Sequence, residues 1–280
     1  MKDKLYTINA NGKLLTTARP LVMGVMNVTP DSFYAASRLS GKDAFASRAL
    51  QMLAEGADIL DVGACSTRPA GEFVGETEEL TRLHSILDVL DVAVPQAVIS
   101  VDTFRGRVVR ECVASHNVAI INDVSGYVWD DDMFEAVVAS RRPYILTHSC
   151  GKAGDTPEYT DFMPQVLASL SEKVWQLHQH GVCDVIIDPG FGFGKSVEQN
   201  YEMLANLREF AIFDAPLLVG VSRKSMITKV LGCTPGEALN GTAVVNALAL
   251  SGGAHILRVH DVLQAKQAVS IYCKMKEQIS

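Results

Sequence analysis

Short apolar runs alternate with longer amphipathic stretches along the whole chain, and each run gives way to polar or charged residues. The runs lie at 21–25, 58–60, 98–101, 118–121, 144–146, 185–187, 217–221 and 255–257. They are rich in Val and Ile and carry few charges, as strands covered on both faces must be. The residues that close them are Asn27, Asp61, Asp102, Asn122, His148, Asp188, Ser222-Arg223-Lys224 and Arg258 with His260. These closing residues recur 20 to 41 positions apart, room for one strand, one helix and two loops. Helical periodicity predicts helices at 43–55, 77–90, 105–115, 131–140, 163–180, 199–208, a split 225–231 with 237–250, and 262–276. Eight such units predict an α/β chain closed into a single TIM (β/α)8 barrel, with its chemistry at the C-terminal strand ends. Residues 4–15 instead alternate around Asn11-Gly12, a two-residue hairpin signal. The expectation is one domain over 1–280: an N-terminal β-hairpin within 1–20 that plugs the bottom, and the barrel over 21–280. The stretches 29–41, 64–75 and 149–160 are candidate lids over the catalytic face.

Composition narrows this picture. A chain of 280 residues with 48% apolar content suits one barrel core. The net charge of −7, with no basic run, argues against a nucleic-acid partner. Six scattered cysteines without C-x-x-C are neither a disulfide framework nor a zinc pattern. No apolar segment approaches membrane-spanning length and no leader is visible. The reading is a soluble cytoplasmic protein without membrane or nucleic-acid partners.

The segment Asp188-Pro-Gly-Phe-Gly-Phe-Gly-Lys-Ser196 fails the phosphate-loop pattern, because Pro189 stands where glycine is needed. It reads better as a tight turn that aims Asp188 inward against a ligand. Ser222-Arg223-Lys224-Ser225 puts two cations at a helix start, where the dipole disfavours them, so Lys224 is expected at the barrel opening and Arg223 as a brace between loops. Arg258 and His260 alternate to one face after the last strand, where this fold commonly binds phosphate. Asp261 is expected to cap the final helix. His84, His116, His178 and His180 are expected to face solvent. Asn27 offers an amide oxygen to Mg²⁺ that carries phosphate oxygens. Ser66-Thr67-Arg68-Pro69 adds a hydroxyl and a third arginine. The rim therefore has two zones: Asp102, Asn122, Asp188 and Lys224 suit a planar heterocycle, and Asn27, Arg68, Arg258 and His260 suit a diphosphate. No serine or cysteine is expected to have a neighbouring base that marks a nucleophile, and no cluster has zinc spacing.

The blocks MGVMNVTPDSF, DVGACSTRP, SVDTF, INDVSG, DPGFGFGK, VGVSRKS and LRVHDV together resemble the dihydropteroate synthases, over about residues 21–275. The resemblance implies a transferase of folate biosynthesis. It condenses 6-hydroxymethyl-7,8-dihydropterin diphosphate with p-aminobenzoate, releasing diphosphate and forming 7,8-dihydropteroate. It implies Asp102, Asn122, Asp188 and Lys224 as pterin contacts, and Asn27, Arg258 and His260 as the diphosphate set, with Asn27 the metal ligand for Mg²⁺. Thr67, Arg68 and Pro69 would close over p-aminobenzoate, beside Phe193 and Ser222. Lys224, Arg258, His260 and Asp102 would carry catalysis. A homodimer is implied as well.

Three stretches depart from the family pattern. Thr147-His148-Ser149, followed by Cys150, stands where Met-His-Met is common, Ala35 lacks the acidic group of loop one, and Cys65 replaces a frequent glutamate. Two other readings are a methyltetrahydrofolate-dependent corrinoid methyltransferase domain and a non-catalytic pterin-binding paralogue. The first has no diphosphate to hold, and so leaves the Ser-Arg-Lys-Ser and Arg-x-His signals unexplained.

Overall fold

The computed structural model describes residues 4–28, 38–65, 74–149 and 158–278. Strands β1 (Thr7–Ala10) and β2 (Lys13–Thr16) form the antiparallel hairpin. Its turn places Asn11 and Gly12 both at positive φ, 53° and 86°, which is what a primed two-residue turn requires. The other eight strands are β3 (Leu21–Asn27), β4 (Ile59–Gly63), β5 (Ile99–Asp102), β6 (Val118–Asp123), β7 (Tyr144–Thr147), β8 (Val185–Asp188), β9 (Leu218–Val219) and β10 (Ile256–Val259). All neighbours are parallel, in the order β8-β7-β6-β5-β4-β3-β10-β9. A parallel bridge between Ile187 and Leu217 joins the two ends and completes the ring.

Helices α1 (Arg38–Glu55), α2 (Glu76–Ala93), α3 (Gly106–Ser115), α4 (Met133–Ser140), α5 (Phe162–Gln179) and α6 (Val197–Ala205) follow strands β3 to β8 in turn. The seventh unit is split, as predicted, into α7 (Ser225–Leu231) and α8 (Leu239–Ser251), and α9 (Val262–Lys276) ends the chain. Two elements differ from expectation. The run at 217–221 forms a strand only at Leu218–Val219, with Leu217 as a single bridge, and Val221 already enters a turn, its carbonyl accepting from the Lys224 amide at 3.1 Å. The predicted helix 199–208 ends at Ala205 and continues as a 3₁₀ segment, Leu207–Phe213.

Alternation sorts each strand's residues between two cores. Outward side chains such as Val22, Leu60, Val101 and Ile121 pack with the helices. Inward ones, including Met23, Ile59, Ile120, Ile145, Ile186 and Ile256, form a second cluster with Ile8, Ala10 and Leu15 of the hairpin. The hairpin hydrogen-bonds to Gln96, Asn117 and Asp184, each just before a barrel strand. It therefore plugs the N-terminal end, and the C-terminal end carries the polar mouth.

Candidate active site

The same inward parity lifts polar residues above the apolar plug. On β4, Ile59 lies in the inner core and Asp61, fully buried, sits one tier higher. On β6, Asn122 faces inward at a level set by its pairing with Asp102 of β5. Arg258 of β10 reaches across the barrel: its Nε donates to Asp61 Oδ2 at 2.7 Å and its Nη2 to Asp102 Oδ2 at 2.5 Å. Asn122 Nδ2 donates to the same Asp61 oxygen at 3.0 Å. Four strands thus deliver two carboxylates, an amide and a guanidinium to one buried floor. Gly63 makes room for it, since a Cβ there would lie 3.2 Å from Asp102 Cβ. Asp123, next along β6, faces the other way. It accepts from Ser125, Tyr127 and Tyr144 and shapes the loop instead.

Asp188 ends β8, buried, and its Oδ1 accepts from the Gly190 amide at 2.8 Å. The turn beyond it depends on Gly190, Gly192 and Gly194, all at positive φ. A side chain at Gly190 would put Cβ 2.0 Å from the His148 carbonyl oxygen. Lys195, buried, locks the turn by donating to the carbonyls of His148, Gly190 and Phe193 at 3.1, 2.7 and 3.1 Å. A capping box of Ser196 with Gln199 then starts α6. The tight-turn reading of this segment holds. Lys195 is a turn-locking residue that the phosphate-loop comparison obscured.

Lys224 donates to the Phe191 carbonyl at 2.5 Å and lies over the Phe193 ring, 4.8 Å from its centroid. Burial lowers its pKa to about 8, against the opposing pull of Asp188. Burial also raises Asp188, with Lys224 the largest counterweight. Asp102 is raised to about 7, by burial first; Arg258 opposes that shift and Asp61 adds to it. Burial works against the charge of Arg258, but Asp61 and Asp102 outweigh it and hold the guanidinium firmly protonated.

His260 Nδ1 stands 3.0 Å from Ser222 Oγ, which also accepts from the His260 amide at 3.3 Å. This serine–histidine pair corrects the expectation that no hydroxyl has a base beside it: the partners are separated by 38 positions and meet only across β9 and β10. Arg223 pairs through two hydrogen bonds with Asp261, at 2.9 and 2.6 Å. Arg223 is thus the expected brace. Asp261 is not the expected side-chain cap, because its carboxylate is committed to Arg223. His84 and His116 also differ from expectation. They are half-buried in a chain with Asp91, at 2.8 Å for each link. His178 and His180 are exposed.

Asn27 ends β3 exposed at the mouth, paired along the backbone with Gly63. Among the described residues no group of three His, Cys, Asp or Glu side chains can hold a metal. The Asn27 side chain offers one hard amide oxygen, the kind of ligand a divalent ion takes alongside substrate phosphates. Phe193 is half-buried beside Lys224. Thr67, Arg68, Pro69, Ala35 and Cys150 lie outside the described residues. Cys65 and Ser149 are half-buried near the mouth. Asp61 closes a run but received no role from the sequence. The signal was there, a lone carboxylate inside Ile59-Leu60-Asp61-Val62.

The model of the pterin-binding enzyme family matches residues 23–260. The dihydropteroate synthase of Escherichia coli (strain K12) is 38% identical over 269 residues, covering 94% of each chain. The Xanthomonas albilineans dihydropteroate synthase solved with 4-aminobenzoic acid superposes with a TM-score of 0.88 at 36% identity, over 96% of this chain and 98% of that one. The same enzyme solved with 7,8-dihydropteroate gives a TM-score of 0.84 at 34% identity, over 97% and 99%. No helix among the described residues is long and apolar enough to cross a membrane. A barrel with these charges at its mouth, matched along nearly its whole length, belongs to the pterin-binding enzyme family and, within it, to the dihydropteroate synthases.

Proposed function

We propose that this chain condenses 6-hydroxymethyl-7,8-dihydropterin diphosphate with p-aminobenzoate, forming 7,8-dihydropteroate and releasing diphosphate. The observation that carries this reading is the meeting of Asp188, Lys224, Asp102, Asn122 and Arg258 at one buried end of the barrel. The pterin amide edge presents N3–H and a 2-amino group, a donor pair matched to the Asp188 carboxylate. Lys224 then donates to the ring carbonyl and nitrogen, while Asp102 and Asn122 face the remaining polar edge. Arg258 and His260 sit on β10 and just beyond it, where the departing diphosphate is stabilised. Asn27 would hold Mg²⁺ through its amide oxygen, and that ion, when bound, neutralises the leaving anion. The C–O bond from the exocyclic methylene to diphosphate breaks, the new C–N bond forms, and the amine gives up one proton. An arylamine is neutral at pH 7, so this attack needs no dedicated base. Thr67, Arg68 and Pro69, with Phe193 and Ser222, are assigned to p-aminobenzoate.

We place the protein in the cytoplasm, on the free thiols of Cys65, Cys112, Cys183, Cys233 and Cys273 and on its folate chemistry. We assign it a homodimer, supported by the exposed Val230, Val244, Leu248, Leu263 and Ile271 on α7, α8 and α9. The decisive experiment is diphosphate release from the pterin diphosphate with Mg²⁺, with and without p-aminobenzoate. Release that depends on p-aminobenzoate and yields dihydropteroate is expected. Tight pterin binding without product would point to a non-catalytic paralogue, and methyl transfer from methyltetrahydrofolate to a corrinoid protein would point to the methyltransferase reading.

A further inference from the structure

Asp61 belongs to none of the contacts assigned to substrate, yet two of those contacts hang on it. Its Oδ2 accepts from Arg258 Nε at 2.7 Å and from Asn122 Nδ2 at 3.0 Å. The carboxylate is fully buried, one tier below the mouth, whereas Asp102, the other partner of Arg258, lies at the strand end. Asp61 Oδ2 also lies 2.7 Å from Arg258 Nη2, so the guanidinium is gripped from beneath along its Nε–Nη2 edge while Nη2 also reaches Asp102 at the strand end. Among the described residues, the second oxygen of Asp61 is buried with no hydrogen-bond partner, and so is Ser100 Oγ at the paired position of β5. A buried carboxylate with an unmet oxygen is a poor device for stability, since an apolar side chain of similar size would carry no such cost. Its placement makes sense as preorganisation of the groups it orients.

We propose that Asp61 is a positioning residue for the condensation: it holds the Nε–Nη2 edge of Arg258 and the amide of Asn122 in place, so that the guanidinium meets the departing diphosphate already oriented. This rests on the reaction assigned above. Nη2 is bonded to Asp102 as well as Asp61. When the leaving anion arrives, the hydrogen bond to Asp102 can be exchanged while Asp61 keeps its hold, so little ordering remains to be done in the transition state. Asp61 also sets the field at Asp102, whose carboxyl is faced by Arg258 from β10, Lys224 from the start of α7, Asp61 from β4, Glu79 from α2 and Asp123 from β6.

The test is Asp61→Asn, which keeps the shape and an accepting oxygen but removes the charge, with Asp61→Ala beside it. The expected result is a fall in kcat of about tenfold for D61N and about a hundredfold for D61A, where both held groups are released. The acid limb of kcat/KM in D61N is expected to move to lower pH, because one anion fewer faces Asp102. A ¹³C-NMR titration of Asp102 in the free protein should shift the same way. Should D61A fail to fold, D61N with its thermal melt carries the test alone. Wild-type kcat in D61N overturns the inference. So does a reduced kcat with both the acid limb and the Asp102 titration unmoved, since that is what a purely structural role would give. An inactive wild type strikes the assigned reaction itself, whereas an active wild type with an unaffected D61N strikes only Asp61.

Discussion

At the scale of single residues, the floor of the site is a guanidinium shared between two carboxylates, with a lysine and a third carboxylate close by. Its titration follows from burial. Asp102 is raised to about 7 and Lys224 lowered to about 8. If activity needs ionised Asp102 and protonated Lys224, kcat/KM rises as pH passes about 7 and falls as it passes about 8. Lys224→Arg keeps its charge to much higher pH and should move the alkaline limb upward in the pH–rate profile; an unmoved limb would reassign it. Arg258→Met removes the cation bonded to Asp61 and Asp102, and breaking such a buried pair costs about 3–5 kcal/mol of stability. The folded-state pKa of Asp102 is already raised, so its contribution to stability is greatest below about pH 4 and is lost as pH rises toward 7. Without Arg258 that loss steepens. Calorimetric melts should therefore show the gap between wild type and R258M widening from pH 5 to pH 8. A constant gap would mean the carboxylates do not carry it.

At the scale of elements, the turn between β8 and α6 decides where Asp188 stands. It combines three glycines at positive φ with a lysine that satisfies three carbonyls. Gly190→Ala both strains φ at +74° and drives Cβ into the His148 carbonyl. The strain alone costs about 1–3 kcal/mol, and relieving the clash must move Asp188. Thermal melts and calorimetric titration with 6-hydroxymethylpterin should show stability and affinity falling together. Lost stability with intact affinity would show that Asp188 is positioned by the strand alone. Much of this element was legible beforehand, because glycines at 190, 192 and 194 leave few alternatives to a tight turn. The role of Lys195 was not, since its partners are backbone carbonyls and no side-chain pattern announces them.

At the scale of the whole molecule, the barrel separates stability from chemistry along its axis. The hairpin closes one end with Ile8, Ala10 and Leu15 against the inner core, and the charged groups occupy the other. Ile8→Ala is expected to cost about 2–5 kcal/mol while leaving KM for both substrates unchanged. Denaturant unfolding and steady-state kinetics on one preparation check this, and a raised KM in a folded protein would show that the two ends communicate. The helix and strand boundaries were legible to within a few residues, because each strand is buried on both faces and each helix on one. The exception, β9, was cut short by a turn that its apolar pattern could not reveal.

The alternation of buried runs with amphipathic helices was enough by itself to determine eight βα units, the plugging hairpin and the list of polar residues at the strand ends. Parity along each strand determined which of them face inward, because successive side chains must point to opposite faces. The tertiary structure alone decided how those residues pair. Arg258 bonds to Asp61 and Asp102, His260 meets Ser222, and Asp261 holds Arg223 instead of capping α9. Each of these contacts joins residues on different barrel units, at distances set by strand tilt and ring closure. No local pattern in the chain encodes such distances.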